Sequence, residues 1–528
     1  MKAECNPIQV IPRLHAIFSR YCDADPALAS FYAAPVTSTA WQQTQIATPH
    51  REELAAMLRS QNTQPLALGR IEKLRNGAQA VVSGQQVALF GGPLFTVFKA
   101  AGAIHRAAEA TNAGNPTIPI FWLASEDHDF VEINHITLPA RSELKRLTYA
   151  QTPENAVPVG GVVFDESIAA LTEEASDLCG YSDFSELLLH AYRPGATFAG
   201  AFAELMAGIF ATHGLVTLDP STREAHRLGA TVLSAAIERA DELNAALRER
   251  DRELAAAGLH SQVLVTERTS LLFLLEENTG ARLALKHNPD GSWQSGSATH
   301  TSDELLAILA ETPERISPSA LLRPVFQDAI LPTTLYLGGP AEVAYYAQSQ
   351  VLFTRILGRT TPIQPRLSAT IIEPSVAELL VKYQLQPEDL FATGDQDLAQ
   401  RLAARSIPVE GKQLIASAGN ALDAELAALT EWMSRISETL GQSAQNSANK
   451  MRYQMGRMRR LAANHVLEKE TAIRRHATTL TEALYPHGDL QERLIGHGCF
   501  FARYGLELTD EIIREAGGSK PGHKFFTL

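Results

Sequence analysis

Residues 78–135 read AQAVVSGQQVALFGGPLFTVFKAAGAIHRAAEATNAGNPTIPIFWLASEDHDFVEINH. The apolar run Ala78–Gly84 has the length of a buried strand. Thr96–Ala110 (TVFKAAGAIHRAAEA) has the composition and period of a helix, and after the turn-rich NAGNP the run Ile118–Ala124 (IPIFWLA) is a second strand. Strand, helix and strand in that order make a βαβ unit, which implies a parallel sheet with a crossover helix. Farther out, GLVTLDP (214–220) is another core strand behind the helical AFAELMAGIFATH, and ILPTTLYLGGPAEVAYYAQ (330–348) repeats strand, Gly-rich turn and helix. The expected fold class is therefore α/β, with a parallel-sheet core.

Two stretches interrupt that rhythm and read as inserted connecting segments, about 138–200 and 255–315; in the second, QVLVTE, LLFLLEE and ARLALKH are short strands of a meander. After residue 372 the chain turns helical. Leu422, Leu426, Leu429, Met433, Ile436 and Leu440 are spaced 4, 3, 4, 3, 4, the heptad seam of a coiled coil, and Met451, Met455, Met458 and Ala462 continue it. Two antiparallel helices joined near Gly441, or one continuous helix with a stutter, both satisfy this pattern. The expected organisation is a core at 1–372, a helical coiled-coil arm at 373–482 that supports a homodimer, and a segment at 483–528 that returns to the core.

A chain of 528 residues with 45% hydrophobic and 20% charged residues belongs to the globular class. The absence of a long apolar run or a signal-like start leads to the expectation of a cytoplasmic protein with no membrane partner. Cys5, Cys22, Cys179 and Cys499 are scattered and suggest neither a disulfide framework nor a zinc knuckle. A net charge of −13 argues against coating nucleic acid.

Three stretches carry chemistry, each where a strand should end. In VVSGQQVALFGGPLFTVFKA, Ser83, Gly84, Gln85, Gln86, Gly92, Thr96 and Lys99 surround a Gly-rich turn that opens a helix, where an anion such as phosphate is favoured. The bland alternative is a turn whose glycines permit close packing. In SEDHDFVEINH, Glu126, Asp127, His128, Asp129, Glu132, Asn134 and His135 crowd behind an apolar strand; carboxylates and imidazoles there can hold Mg²⁺, accept an amine proton or bind a transition metal. The spacing matches no zinc motif, so the metal is unknown. In LLRPVFQDAILPTTLYLGGPAEVAYYAQ, Arg323 and Gln327 precede a strand, and Gly338 and Gly339 precede Glu342, Tyr345 and Tyr346 in the first turns of a helix. The tyrosines also suit a core.

Together, SGQQVALFGGPLFTVFK, SEDHDFVEINH, LGGPAEVAYYAQ, PRLSATIIEP and GDLQER, in this order over positions 83–493, resemble the blocks of the BshC family of cysteine ligases in bacillithiol biosynthesis. Ser83 stands for the family's usual Thr, and Phe98 stands where some members carry His, which removes any role for an imidazole there. The resemblance implies a Rossmann-like core with inserted connecting segments, a coiled-coil arm used for dimerisation, and ligation of L-cysteine to the amino group of glucosaminyl-malate. Amide formation from a free carboxylate is uphill in water, so it implies ATP with Mg²⁺. In that reading Gln85, Gln86, Thr96 and Lys99 cradle phosphates, Asp127, Asp129 or Glu132 holds Mg²⁺ or takes the amine proton, and His128 and His135 stabilise developing charge.

Two other readings compete. A metal-dependent hydrolase of a thiol conjugate or sugar amide would use His128, Asp129 and His135. A coiled-coil binding protein would use Lys450, Arg452, Arg457, Arg459 and Arg460 of the arm, a charge run whose ordinary meaning is a solvated helix face.

Overall fold

The computed structural model describes the chain except residues 141–142, 393–394, 470 and 519. It divides into two compact units, Ala3–Ala369 with Glu492–Lys524 and Thr370–Gln491 with Phe525–Leu528.

In the larger unit the strands β1 (Gln79–Gln85), β2 (Thr117–Leu123), β3 (Val216–Leu218), β4 (Thr333–Gly338) and β5 (Ile363–Pro365) form a parallel sheet in the order β5-β4-β1-β2-β3. β1, β2 and β4 are buried nearly throughout, which is why they read as apolar runs rather than alternating ones. From β1 the chain winds one way through β2 to β3, then returns to lay β4 against the other side of β1. The β1–β4 crevice is thus the point where winding reverses, and ligands in open α/β sheets bind beyond the strand ends at such a point.

The crossover helix α1 (Leu94–Asn112) starts two residues before the expected Thr96, directly after Pro93. Its Ala103 and Ala107 join Val81, Leu335, Leu337 and Trp41 in one core cluster. Helix α2 (Pro340–Leu352) follows β4.

The first connecting segment holds the strand pair His135–Pro139 and Leu144–Thr148 and the helices Ser167–Cys179 and Asp183–Ala191. The second holds an antiparallel meander of Thr269–Leu275, Arg282–His287, Trp293–Ser295 and Ala298–His300, which Ile316–Pro318 joins along Thr269–Leu275. One expected strand is absent there: QVLVTE is irregular. The Gln262 and Val263 N–H groups donate to Gln348 Oε1 at 3.0 and 2.9 Å, so a side chain takes the place of a ladder partner.

In the smaller unit, α3 (Val409–Ile436) and α4 (Glu438–Lys469) form an antiparallel pair, tied by Arg452 Nε to Asp423 Oδ1 at 2.6 Å. The continuous-helix alternative fails because Ser437 is extended (φ −159°, ψ 149°). The reversal falls at Ser437, close to the expected Gly441. Gly441 instead lets the two helices touch, since a Cβ there would lie 2.9 Å from Ser434 Cα. Among the described residues no helix is long and apolar enough to cross a membrane.

Candidate active site

A cavity of about 470 Å³ in the larger unit opens beyond the C-terminal ends of β1, β2, β4 and β5. The β1 end supplies Gly84, Gln85 and Gln86, and α1 supplies Lys99. The turn after β2 supplies Glu126, Asp127, His128 and Glu132; β4, α2 and the helix Arg323–Ile330 supply Gly339, Glu342, Tyr345 and Arg323.

Lys99 is almost wholly buried and its ammonium has three partners: Glu342 Oε2 at 2.6 Å, the Gly84 carbonyl at 2.7 Å and Gln85 Oε1 at 3.0 Å. Burial lowers its pKa and Glu342 opposes that fall. Glu342 also accepts from the Gly339 N–H at 2.7 Å and the Tyr336 hydroxyl at 2.6 Å. Burial alone would raise its carboxyl, but Lys99 and these donors hold it below the usual carboxylate range. Gly84 serves close packing as well, because a Cβ would fall 2.6 Å from the Trp122 carbonyl oxygen on β2.

On the opposite side, Gln86 Nε2 donates to both Asp127 Oδ2 (2.7 Å) and Glu132 Oε2 (2.9 Å), fastening two carboxylates together. Arg282, from the meander, lies with its guanidinium carbon 3.8 Å from the Phe273 ring centroid, donates to Ser317 Oγ and the Pro318 carbonyl, and approaches His128 Nδ1 at 3.3 Å. A guanidinium only donates, so in this contact Nδ1 of His128 is the acceptor, and the residue lines the cavity. Arg323 donates to Gln327 Oε1 (3.1 Å) and to the hydroxyls of Tyr345 (2.9 Å) and Tyr336 (3.3 Å). Among the described residues neither Arg282 nor Arg323 has an ion pair with a carboxylate. Two cations, Arg282 buried and Arg323 partly buried, therefore line the cavity without a close ion pair, as an anion site needs.

The remaining sequence candidates do not line the cavity. Asp129 caps the short helix Phe130–Ile133, accepting from the Glu132 N–H at 3.3 Å. His135 turns its Nδ1 to the Val131 carbonyl at 3.1 Å, and burial followed by Arg146 lowers its pKa. Asn134 donates to the Tyr149 carbonyl and Ser83 to the Leu337 carbonyl. Thr96 is buried and approaches Gly92. Gln327 steadies Arg323, Gly338 packs on the Glu342 stem, and Tyr346 stacks on Tyr336 at 5.1 Å. None of these nine lines the cavity. Of the three residues of the hydrolase reading only His128 lines the cavity, and the described residues contain no metal-ligating group of three His, Cys, Asp or Glu.

Sequence reasoning missed Arg282, Arg366, Arg493, Tyr336 and the aromatic wall of Phe95, Trp122 and Phe273. Arg366 and Arg493 stood inside PRLSAT and GDLQER, where block position was the available signal. Arg366 donates to Glu492 Oε1 at 2.8 Å, and its guanidinium carbon lies 5.1 Å from the Phe95 ring centroid.

Comparison with known proteins agrees with this architecture. Residues 1–367 match the model of the bacillithiol biosynthesis BshC N-terminal Rossmann-like domain, and residues 369–528 that of its C-terminal coiled-coil domain. The chain is 41% identical to the "Putative cysteine ligase BshC" of Koribacter versatilis, covering 99% of each chain, and 35% identical to the protein of the same name from Solibacter usitatus, covering 97% of each. A third, from Salinibacter ruber, is 30% identical over 94% of this chain and 93% of its own. Matched across both domains and nearly its whole length, the chain belongs to the BshC family.

Proposed function

We propose that this protein is an ATP-dependent cysteine ligase of bacillithiol biosynthesis, joining the carboxyl of L-cysteine to the amino group of glucosaminyl-malate. The observation that carries the reading is the polarity of one cavity. Cations without a close ion pair, the buried Arg282 and the partly buried Arg323, suit phosphate and carboxylate groups; Glu126, Asp127 and Glu132 suit an ammonium group or a hard cation. An amide ligase must hold both kinds of group together.

The pair Asp127 and Glu132, fastened by Gln86, presents the oxygen donors that Mg²⁺ takes, and Mg²⁺ would neutralise phosphate charge there. Arg323, oriented by Gln327 and Tyr345, binds the anionic group and holds it against the cavity wall. His128, on the cavity lining, donates to the oxygen on which charge develops during attack. Lys99 is committed to Glu342, so it shapes the floor and its field rather than serving as a free base. Carboxyl activation is tested with hydroxylamine: ATP and L-cysteine without the amine acceptor should give cysteine hydroxamate. ATP-independent hydroxamate, or none while the amide product still forms with ATP, would contradict a free activated carboxyl.

The arm supports a homodimer. Leu429, Trp432, Ile436, Met451, Met458 and Leu461 are all about half exposed or more on α3 and α4, an unusual amount of apolar surface to leave in water. A second copy of the arm would cover it. The protein works in the cytoplasm, where its substrates are small soluble molecules.

A further inference from the structure

His226 lies on the helix Arg223–Leu228, fully buried, and neither the sequence motifs nor the proposed chemistry uses it. Its ring is held at both ends. Nδ1 is 2.9 Å from the Ile316 carbonyl oxygen, and Nε2 is 2.8 Å from Glu126 Oε1. A carbonyl oxygen only accepts, so Nδ1 carries a proton. If Nε2 were bare, its lone pair would face a carboxylate oxygen at hydrogen-bond distance, so a proton lies on that axis too. The imidazolium against the carboxylate meets both demands. Burial opposes the charged ring, but Glu126 and the backbone carbonyls outweigh it and raise the His226 pKa.

Glu126 is an acid of the cavity that is held at one oxygen only. Its Oε1 is taken by His226; its Oε2 has no hydrogen-bond partner among the described residues, and the residue lines the cavity beside Asp127 and Arg282. Asp127 and Glu132, in contrast, share a Gln86 amide. We propose that His226 is a positioning residue whose imidazolium pins Glu126 Oε1, so that Glu126 Oε2 is presented to the cavity as the acceptor for a substrate's primary ammonium group. This rests on the ligase reading for the identity of the amines, since both L-cysteine and glucosaminyl-malate carry one. The same contacts would also serve a mere strut between the helix and the β2 turn, and the experiment separates the two.

Calorimetric titration of the full chain with L-cysteine and with glucosaminyl-malate, each beside its N-acetylated analogue, is run on wild type, Glu126→Gln, His226→Ala and His226→Gln. Gln keeps an N–H donor to Glu126 without a titrating ring. One of the two amines should bind about tenfold or more weakly to Glu126→Gln and His226→Ala, and that amine identifies the group's source. His226→Gln should recover much of the affinity, and the N-acetylated analogue should bind all four proteins alike. Binding needs no turnover, so failure of the ligase reading would appear separately, as absent product with amine binding intact. Equal amine affinity in wild type and Glu126→Gln, no binding of either amine to wild type, or His226→Gln as impaired as His226→Ala would overturn the proposal.

Discussion

Lys99 Nζ lies 2.6 Å from Glu342 Oε2, and the two residues sit on the helices that follow β1 and β4, the neighbouring strands between which the winding of the sheet reverses. One ion pair therefore spans the crevice in which the fold places its ligand.

Breaking that pair from one side leaves a buried charge alone. Glu342→Ala should lower stability by about 3–5 kcal/mol in urea denaturation, whereas Lys99→Met combined with Glu342→Leu should recover most of that loss. The double variant should still lack ligase activity, because the cavity floor has lost its polar frame. Activity near wild type in the double variant would assign the pair to stability alone.

Arg323 should be required as a fork rather than as a charge. Arg323→Met should lower kcat/KM by about 100-fold, and Arg323→Lys should restore little of it, since a single ammonium cannot keep the contacts with Gln327, Tyr336 and Tyr345 and still meet an anion. Steady-state kinetics with each substrate varied in turn would check this; a fully active Lys variant would remove the geometric part of the claim.

The two histidines of SEDHDFVEINH should behave differently. His128→Ala should reduce kcat by roughly 100-fold or more, in line with losing one donor to developing charge. His135→Gln should retain most activity, because His135 lies off the cavity wall. Asp129→Ala should cost about 1 kcal/mol as a lost helix cap, and Asp129→Ser should recover it.

Acid should destabilise the fold, with an assignable share from His497. Burial pushes its imidazole down to about 4, against about 6.5 in an unfolded chain. The unfolded state binds the extra proton between those values, so this residue's contribution falls as pH drops from about 6.5 to about 4, by roughly 3 kcal/mol in all. Glu342 and Glu492 add to the loss at lower pH. Burial opposes their charge, but Lys99 and Arg366 hold both carboxyls below the usual range, so their stabilisation is present above about pH 4.3 and vanishes as pH falls through the lowered values. Denaturation of wild type and His497→Leu at pH 7 and 5 should show a smaller fall in the variant.

If the arm covers its apolar faces with a second copy, Trp432→Asp with Ile436→Lys should shift sedimentation from dimer to monomer while the melting temperature of the larger unit holds. An unchanged sedimentation coefficient would place the interface elsewhere.

The core was legible because its strands are buried on both sides and read as uninterrupted apolar runs. The turn at Glu126–Glu132 was legible because charge directly after such a run has few structural excuses. Asp129 shows the limit of that inference: a carboxylate before a helix caps it, and sequence does not say whether a charge faces ligand or backbone. Arg282 had no local signal, lying within the ordinary strand RLALKH; only the fold brings it to His128, 154 positions away. His226 in REAHRL looks like any amphipathic turn until Ile316 and Glu126 close on its ring. The hairpin expected near Gly441 turns at Ser437, because a glycine that admits a helix crossing and one that ends a helix look the same in sequence.

The most direct test is mass spectrometry of full-length protein incubated with glucosaminyl-malate, L-cysteine, ATP and Mg²⁺, with a parallel sample lacking ATP. The cysteinyl amide should appear in the first sample alone, and Arg323→Met should form it about 100-fold more slowly. Amide formed equally without ATP, or none from folded protein in either sample, would contradict an ATP-dependent cysteine ligase.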